Sequence, residues 1–378
     1  MTSLRNYVIT ICSLSAKAVC VLSAALAAVL FTGCSPRVAT SFWRIGSPAD
    51  STKEGYAVLY EGQKMRHCYP IIEWTADPAV DTYHQLHHHG VAVESELMAY
   101  RIYFDKKQTI DPYCKRRPQL ELAQSHWYPN DSLLAAEYGD DILRVSGTVG
   151  VGSVKYWNGK KQVHIEPVAE RSQRIVSSKK DQATIEVSVH GWQIPSDPRA
   201  HSVSSPLVDL TTRYTMRAGH RDLRCDVLLS DTVSGLCTGV QCIPAKGNLT
   251  DVVDLTAKRS YSDNGLAGGA GQCSFTEHLE NGVLLISWGT DWPVNDSAKY
   301  AKETVGLAVF VPKQYVGELV CDKQNNLCLL NTLPLRGGTG RGLHFYLTCV
   351  GATKENHPVA RNATEWLAYL RRWAKNLK

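Results

Sequence analysis

Between residues 91 and 350 the chain repeatedly rises into short β-branched or aromatic runs and falls back into Gly, Pro, Asn or Asp. Val91–Phe104, Ile142–Val149, Val163–Val168, Thr184–Val189, Leu223–Leu229, Val283–Trp288, Val305–Val311 and Leu343–Val350 all have this form. Many alternate, as Ile185-Glu186-Val187-Ser188-Val189 does, which is the two-residue period of a strand with one wet face. No strand is followed by a Gly-rich turn and a helix, so a dinucleotide fold and a phosphate-binding loop are not expected. Gly150-Val151-Gly152 leads into Val154-Lys155-Tyr156-Trp157, more strand than helix, and its glycines read as a bend or a close approach. One helix closes the chain: Asn362 caps it, Glu365 lies in its first turn, and Trp366, Leu367, Leu370 and Trp373 fall near one face. Its basic end, Arg371, Arg372 and Lys375, reads as solvated. The pattern predicts an all-β fold: a large antiparallel β-sandwich with a C-terminal helix docked on a sheet.

The first residues read as an address. Arg5 supplies an early positive charge, and the apolar run Val19 to Phe31 is too short to span a bilayer comfortably. It ends in Phe31-Thr32-Gly33-Cys34, which resembles the bacterial lipobox. The expectation is a lipoprotein signal peptide over 1–33, lipidation at Cys34, a tether over 34–55 and a single catalytic β-sandwich over 56–378. Such a chain would be lipid-anchored at the outer membrane or in the periplasm. With 41 Lys and Arg against 36 Asp and Glu, and no basic cluster with interleaved aromatics, a nucleic-acid partner is not expected. Setting aside Cys12, Cys20 and Cys34 leaves nine of the twelve cysteines, an odd number. Cys321 and Cys328 bracket a polar turn and read either as a hairpin disulfide or as two buried apolar thiols.

Chemistry concentrates between Tyr83 and Lys107. His84, His87, His88 and His89 supply four of the 13 histidines within six residues. If 91–104 is one strand, Glu94, Glu96 and Tyr100 share one face, and Arg101, Tyr103 and Asp105 the other. A face mixing acids and a phenol is costly to bury unless it lines a wet cleft or is fully paired. Three readings compete. His87 and His89, pointing the same way on a strand, could hold a divalent metal with Glu94 or Glu96. The imidazoles and phenols could do acid–base work on a substrate. Or the imidazoles cap turns, the favoured reading for His84 alone. Aromatics recur beside polar groups at Trp127-Tyr128, Tyr156-Trp157, His190-Gly191-Trp192 and Trp288 to Trp292, which points to a carbohydrate cleft, although any single Trp is more often core.

The chain resembles the DUF4861 family, common in secreted proteins of polysaccharide-utilising Bacteroidota. The resemblance rests on His87-His88-His89-Gly90, the stretch from Glu94-Ser95-Glu96-Leu97 through Tyr100-Arg101-Ile102-Tyr103-Phe104 to Asp111, Gly150 and Gly152 to Trp157, His190-Gly191-Trp192, Thr238-Gly239-Val240-Gln241 and the closing helix. It implies a sandwich akin to the galactose-mutarotase-like supersandwich. It also implies work on uronic-acid-containing oligosaccharides, including dehydration of a terminal uronate to a 4,5-unsaturated sugar.

Together these lines predict a lyase or dehydratase that removes the C5 proton of a hexuronate and eliminates the group on C4. Arg101 is expected to neutralise the substrate carboxylate through a bidentate pair. His88 or His89 is the expected base, and Tyr100 or Tyr103 the acid. His87, Glu94, Glu96, Lys106, Trp157, His190 and Trp192 are the expected substrate contacts, with Trp157 or Trp192 as the stacking platform. No cofactor is required on this reading. The alternatives are a mutarotase or sugar isomerase that uses Glu94 or Glu96 with a histidine, and a lipid-anchored glycan-binding protein without catalysis.

Overall fold

Alternation along the strands places them in three antiparallel sheets. The computed structural model describes residues 37–42, 73–76, 86–125, 127–195, 207–243, 274–294, 299–332 and 342–377. Nineteen strands among the described residues are numbered β1–β19 in chain order. The first sheet runs β1 (Val38–Ser41), β3 (Gly90–Ser95), β4 (Met98–Tyr103), β5 (Ile110–Cys114) and β6 (Asp140–Asp141). The largest has nine strands: β14 (Ser274–Leu279), β15 (Gly282–Asp291), β16 (Glu303–Pro312), β19 (Gly342–Gly351), β12 (Leu223–Leu229), β11 (Leu207–Arg217), β10 (Gln182–Gln193), β9 (Glu170–Ser178) and β2 (Glu73–Ala76). The third runs β17 (Val316–Cys321), β18 (Asn325–Leu330), β13 (Leu236–Gln241), β7 (Lys155–Trp157) and β8 (Gln162–Val163). This is the expected all-β sandwich, and Arg37–Lys378 forms one compact unit.

The main core lies between the sheets. Val91, Val93, Tyr100 and Ile102 of the first meet Ile185, Val187, Val189, Tyr214 and Val227 of the second and Leu236 and Val240 of the third. The other side of β10 is wet, and there Glu186 lies opposite both Arg174 and Arg213 and accepts from each guanidinium at 2.6 Å. Strands β15, β16 and β19 read as near-continuous apolar runs because both of their faces are covered. Leu285, Val309 and Leu347 point into the main core, while Leu284, Ile286, Ala308 and Phe310 pack under the C-terminal helix. A short helix, α1, spans Asp131–Ala135, and α2 spans Ala363–Asn376. In α2, Asn362 Oδ1 accepts from Glu365 N at 2.9 Å, as its sequence position predicts. Trp366, Leu367, Leu370 and Trp373 are buried, each contributing roughly 1.5–3 kcal/mol of apolar transfer free energy. Among the described residues no helix is long and apolar enough to cross a membrane.

Several expectations are corrected. Val91–Phe104 is a hairpin, β3 and β4, because Ser95 Oγ accepts from Leu97 N at 3.1 Å and turns the chain without Gly or Pro. Ile142–Val149 contains no strand, and its Ile142, Leu143 and Val145 are loop residues buried in the main core. Only Val163 of Val163–Val168 is in a strand. Residues 38–41, expected in the tether, form β1 and pair with β3. Cys321 and Cys328 are free thiols, since the β17–β18 register sets Cys321 against Asn326 and Cys328 against Leu319. The bend at Gly150–Gly152 is as expected. Gly150 has φ +57°, and a Cβ there would stand 2.4 Å from Ile110 O. His84, Tyr83, Cys34 and the signal segment lie outside the described residues.

Candidate functional site

Leu86 is extended, but His87–His89 curl into a single 3-10 turn with His88 at φ 54° and His89 at φ 60°. Left-handed backbone at two successive non-glycine residues costs on the order of 1–2 kcal/mol each. Bonds from His89 N to Leu86 O (3.1 Å) and from Phe104 N to His89 O (2.8 Å) hold the turn. Gly90 follows because any side chain would strike β4: its Cβ would lie 2.1 Å from Ile102 O. The histidines are therefore not strand residues, and the expected alignment of His87 with His89 along a strand does not exist.

The hairpin sets the rest. Gly90 lies opposite Tyr103, Ala92 opposite Arg101 and Glu94 opposite Ala99, while Arg101 lies opposite Asp111 on β5. Opposite residues share a face. Glu94, Arg101, Tyr103 and Asp111 therefore line one face, and Tyr100 projects from the other into the core. The turn at Ser95–Leu97 inverts the phase expected for an unbroken strand.

Residues 115–125 and 127–130 cover the polar face. Buried Lys115 and Glu94 form an ion pair, and the Glu94 carboxylate also accepts from Glu121 N (2.9 Å) and Leu122 N (3.0 Å). His88 Nε2 lies 2.8 Å from Leu122 O, and Trp127 Nε1 donates to Leu86 O at 3.1 Å. Glu94 and His88 therefore anchor the cover and do not face a ligand.

Beneath Trp127 the remaining groups converge. His89 stacks on Trp127 with ring centroids 4.5 Å apart and meets Tyr103 edge-on at 5.9 Å. Tyr103 donates to Asp111 Oδ2 at 2.5 Å. Arg101 Nη2 donates to Asp111 Oδ2 (2.6 Å) and Asp141 Oδ2 (2.7 Å), and Nη1 to Trp127 O (2.7 Å). The guanidinium carbon also lies 5.8 Å from the centre of the Tyr128 ring, which is 39 % exposed. His89 and Tyr103 are each 8 % exposed, whereas Arg101 is 1 % exposed. Burial, opposed by the Arg101 charge, raises the Asp111 carboxyl above the ordinary range. Burial and the neighbouring Asp111 charge raise Asp141 likewise. One arginine between two buried carboxylates favours retention of a proton on the pair.

Arg101 is therefore committed to Asp111 and Asp141 and is not free to clamp a substrate carboxylate. Tyr100 is likewise displaced: its hydroxyl donates to Arg221 O at 2.6 Å in the core, and burial pushes its pKa well up. Glu96 pairs with Arg37 and accepts from Gly219 N at 3.1 Å, at the far end of the hairpin from the histidines. Trp192 is fully buried, edge-on to Tyr156 at 5.6 Å, so it cannot stack on a sugar. Trp157 is half-buried on β7 against Val149, Cys237 and Leu327. His190 is exposed on β10 and pairs with Asp209 at 2.6 Å. Lys106 is exposed in the β4–β5 turn, at the same end of the sheet as His87–His89. Among the described residues no group of three or more His, Cys, Asp or Glu is placed to hold a metal. Asp111 and Asp141 are the participants to which sequence reasoning gave no role, while Trp127 belonged to one of the aromatic clusters it singled out. The available signal was an acid inside a buried strand, Ile110-Asp111-Pro112-Tyr113-Cys114, which must find a partner.

A family model described as a domain of unknown function, DUF4861, matches residues 46–378. No curated protein matches the chain.

Proposed function

We propose that this chain, which belongs to the DUF4861 family, acts on uronic-acid-containing oligosaccharides by removing the C5 proton and eliminating the group on C4. The observation that carries this reading is the pairing of His89 with Tyr103 under Trp127, with Asp111 and Arg101 behind the phenol. Elimination next to a carboxylate needs one group to take a proton and another to give one, and an imidazole and a phenol within one small space supply both.

His89 takes the C5 proton. The C4–O bond breaks as the C4=C5 bond forms, and Tyr103 protonates the departing oxygen. Asp111 then returns a proton to the Tyr103 oxygen. When the substrate has a free 4-hydroxyl the second product is water, and the imidazolium proton passes back to the Tyr103–Asp111 pair by way of the Tyr103 hydroxyl, because Asp111 itself is fully buried. A carboxyl held above its ordinary range suits Asp111 to that return. Arg101 is a positioning residue that fixes Asp111. The substrate carboxylate falls to His87 and Lys106, which stand at the same end of the sheet. In the same proposal Cys34 carries the lipid that holds the protein at the membrane, and the setting is polysaccharide utilisation.

The test is incubation of the purified protein with uronate-terminated oligosaccharides while following the ultraviolet absorbance of the conjugated enoate. The absorbance rises under this proposal. A flat trace at high enzyme concentration, with the oligosaccharides recovered intact, overturns it.

A further inference from the structure

A cleft of about 1000 Å³ opens between the β7–β8 turn and the β17–β18 turn, on the third sheet. Its rim is cationic by construction. In the β7–β8 turn, Asn158 Oδ1 accepts from Lys160 N and Lys161 N at 3.0 Å each, and Asn158 N donates to Lys161 O at 3.2 Å. Gly159 makes the corner at φ +88°. The backbone is thus fixed and the two exposed lysine side chains extend over the opening. Lys323 of the facing turn adds a third cation.

The lining sets Lys160, Lys161 and Lys323 against Asp322 and Glu166, an excess of one cation. Asp322 Oδ1 accepts from Gln324 N, Asn325 N and Asn325 Nδ2, each at 2.9 Å, and Oδ2 accepts from Gln162 N at 3.1 Å. Its carboxylate closes its own turn and ties the two turns together, and it keeps its negative charge at the floor while the lysines stand at the rim. Glu166 acts electrostatically on Arg171. His164 is held neutral, down to about 4, by burial and by the charges of Lys155, Lys106 and Lys107. A neutral imidazole in this cleft serves as a hydrogen-bonding group and adds no further charge. Just beneath the floor, Gln162 Oε1 and His164 Nδ1 are buried without a hydrogen-bond partner among the described residues. Both atoms belong to side chains that line the cleft, and Gln162 is held there by its Nε2, which donates to Gly147 O at 2.6 Å.

Lysines carried on a fixed turn at the rim and neutral amide and imidazole groups at the floor match a ligand that carries both acid groups and many hydroxyls. Among the described residues no Phe, Tyr or Trp lines the cleft, so the stacking platform that single-stranded nucleic acids use is missing. We propose that this cleft binds an acidic oligosaccharide, with a carboxylate or sulfate at Lys160 and Lys161 and ring hydroxyls at Gln162 and His164. Neither His89 nor Tyr103 lines this cleft, and binding there does not require that elimination occurs.

The test is calorimetric titration of the purified protein with a 4,5-unsaturated oligogalacturonide, which cannot undergo the proposed elimination again, so binding is read without turnover. Parallel arms use a sulfated oligosaccharide lacking carboxylates, a neutral malto-oligosaccharide and a single-stranded oligonucleotide of similar charge. The expected result is salt-sensitive binding of one or both acidic sugars, none of the neutral one, and roughly tenfold or greater weakening in K160A/K161A. The arm that binds identifies the acid group. Unfolding midpoints of the two proteins are compared so that a folding defect is recognised, and K160Q/K161Q repeats the measurement if one is found. Equal affinity of wild type and both double variants overturns the proposal. So does no binding of either acidic sugar, or tighter binding of the oligonucleotide through the same lysines.

Discussion

Tyr103 donates its phenolic hydrogen to Asp111 Oδ2 over 2.5 Å, from a diagonal position on the neighbouring strand. Arg101, directly opposite Asp111, holds the same oxygen at 2.6 Å. The phenol thus sits at the end of a fixed polar chain, with the edge of the His89 imidazole beside it. Removing only the hydroxyl isolates its role. In Tyr103→Phe, elimination is expected to fall about 10²–10⁴-fold, with the KM changed far less than kcat. Steady-state kinetics on a uronate-terminated oligosaccharide check this, and an unchanged kcat would remove Tyr103 as the acid.

His89 is the expected base, and His88 is not, because His88 Nε2 lies against Leu122 O. His89→Gln is expected to lose turnover by a comparable factor while retaining its contact area with Trp127. Full turnover in that variant ends the assignment. His88→Ala is expected to act through stability, loosening the cover over the polar face, and denaturant unfolding with kinetics on the folded fraction separates the two effects.

Arg101→Met leaves Asp111 and Asp141 buried without their cation. The expected cost is about 3–5 kcal/mol of unfolding free energy, read by urea titration. A substrate-clamping arginine would behave otherwise, with a raised KM in a protein of unchanged stability.

Glu121 provides the pH test. Its carboxyl is raised to about 7, chiefly by burial and in part by Glu94, against the opposing charge of Lys115 and bonds from Gln119 and Gly139. The folded state therefore holds the proton more tightly than the unfolded chain. That contribution is complete below the ordinary value of 4.5 and is lost as pH rises toward about 7. It amounts to on the order of 3 kcal/mol across the window. Glu121→Gln is expected to flatten the fall in stability over this interval, measured by unfolding at a series of pH values. A variant with the wild-type slope contradicts the assignment.

Cys34→Ser is expected to move the protein from the membrane pellet to the soluble fraction of cells that secrete it, checked by fractionation and by incorporation of labelled fatty acid. Retention in the pellet without label uptake in either protein counts against the anchor.

The sandwich was legible where strands obey a simple rule. Leu223–Leu229 alternates and is β12 to the residue. The Asn362 cap and the apolar stripe of α2 read directly, because capping and helix periodicity are local. Ile142–Val149 misled because apolar content reports burial, and a loop can be as buried as a strand. Sequence reasoning marked a region, Tyr83 to Lys107, but not the arrangement, which also takes in Asp111, Trp127 and Asp141 beyond it. Glu94, Arg101 and Tyr100 were all singled out, yet the first anchors a loop, the second serves two aspartates and the third faces the core.

The amino-acid sequence alone determined the all-β class, the closing helix and the placing of unusual chemistry beside β3 and β4, since side-chain periodicity and composition are properties of neighbours along the chain. The tertiary structure decided which charges meet. A turn closed by a serine hydroxyl reversed the parity of β4, and Asp141, forty residues beyond Arg101, completed its pairing. Pairing of buried ions depends on distance in space, and local sequence leaves that distance unset until the sheets pack.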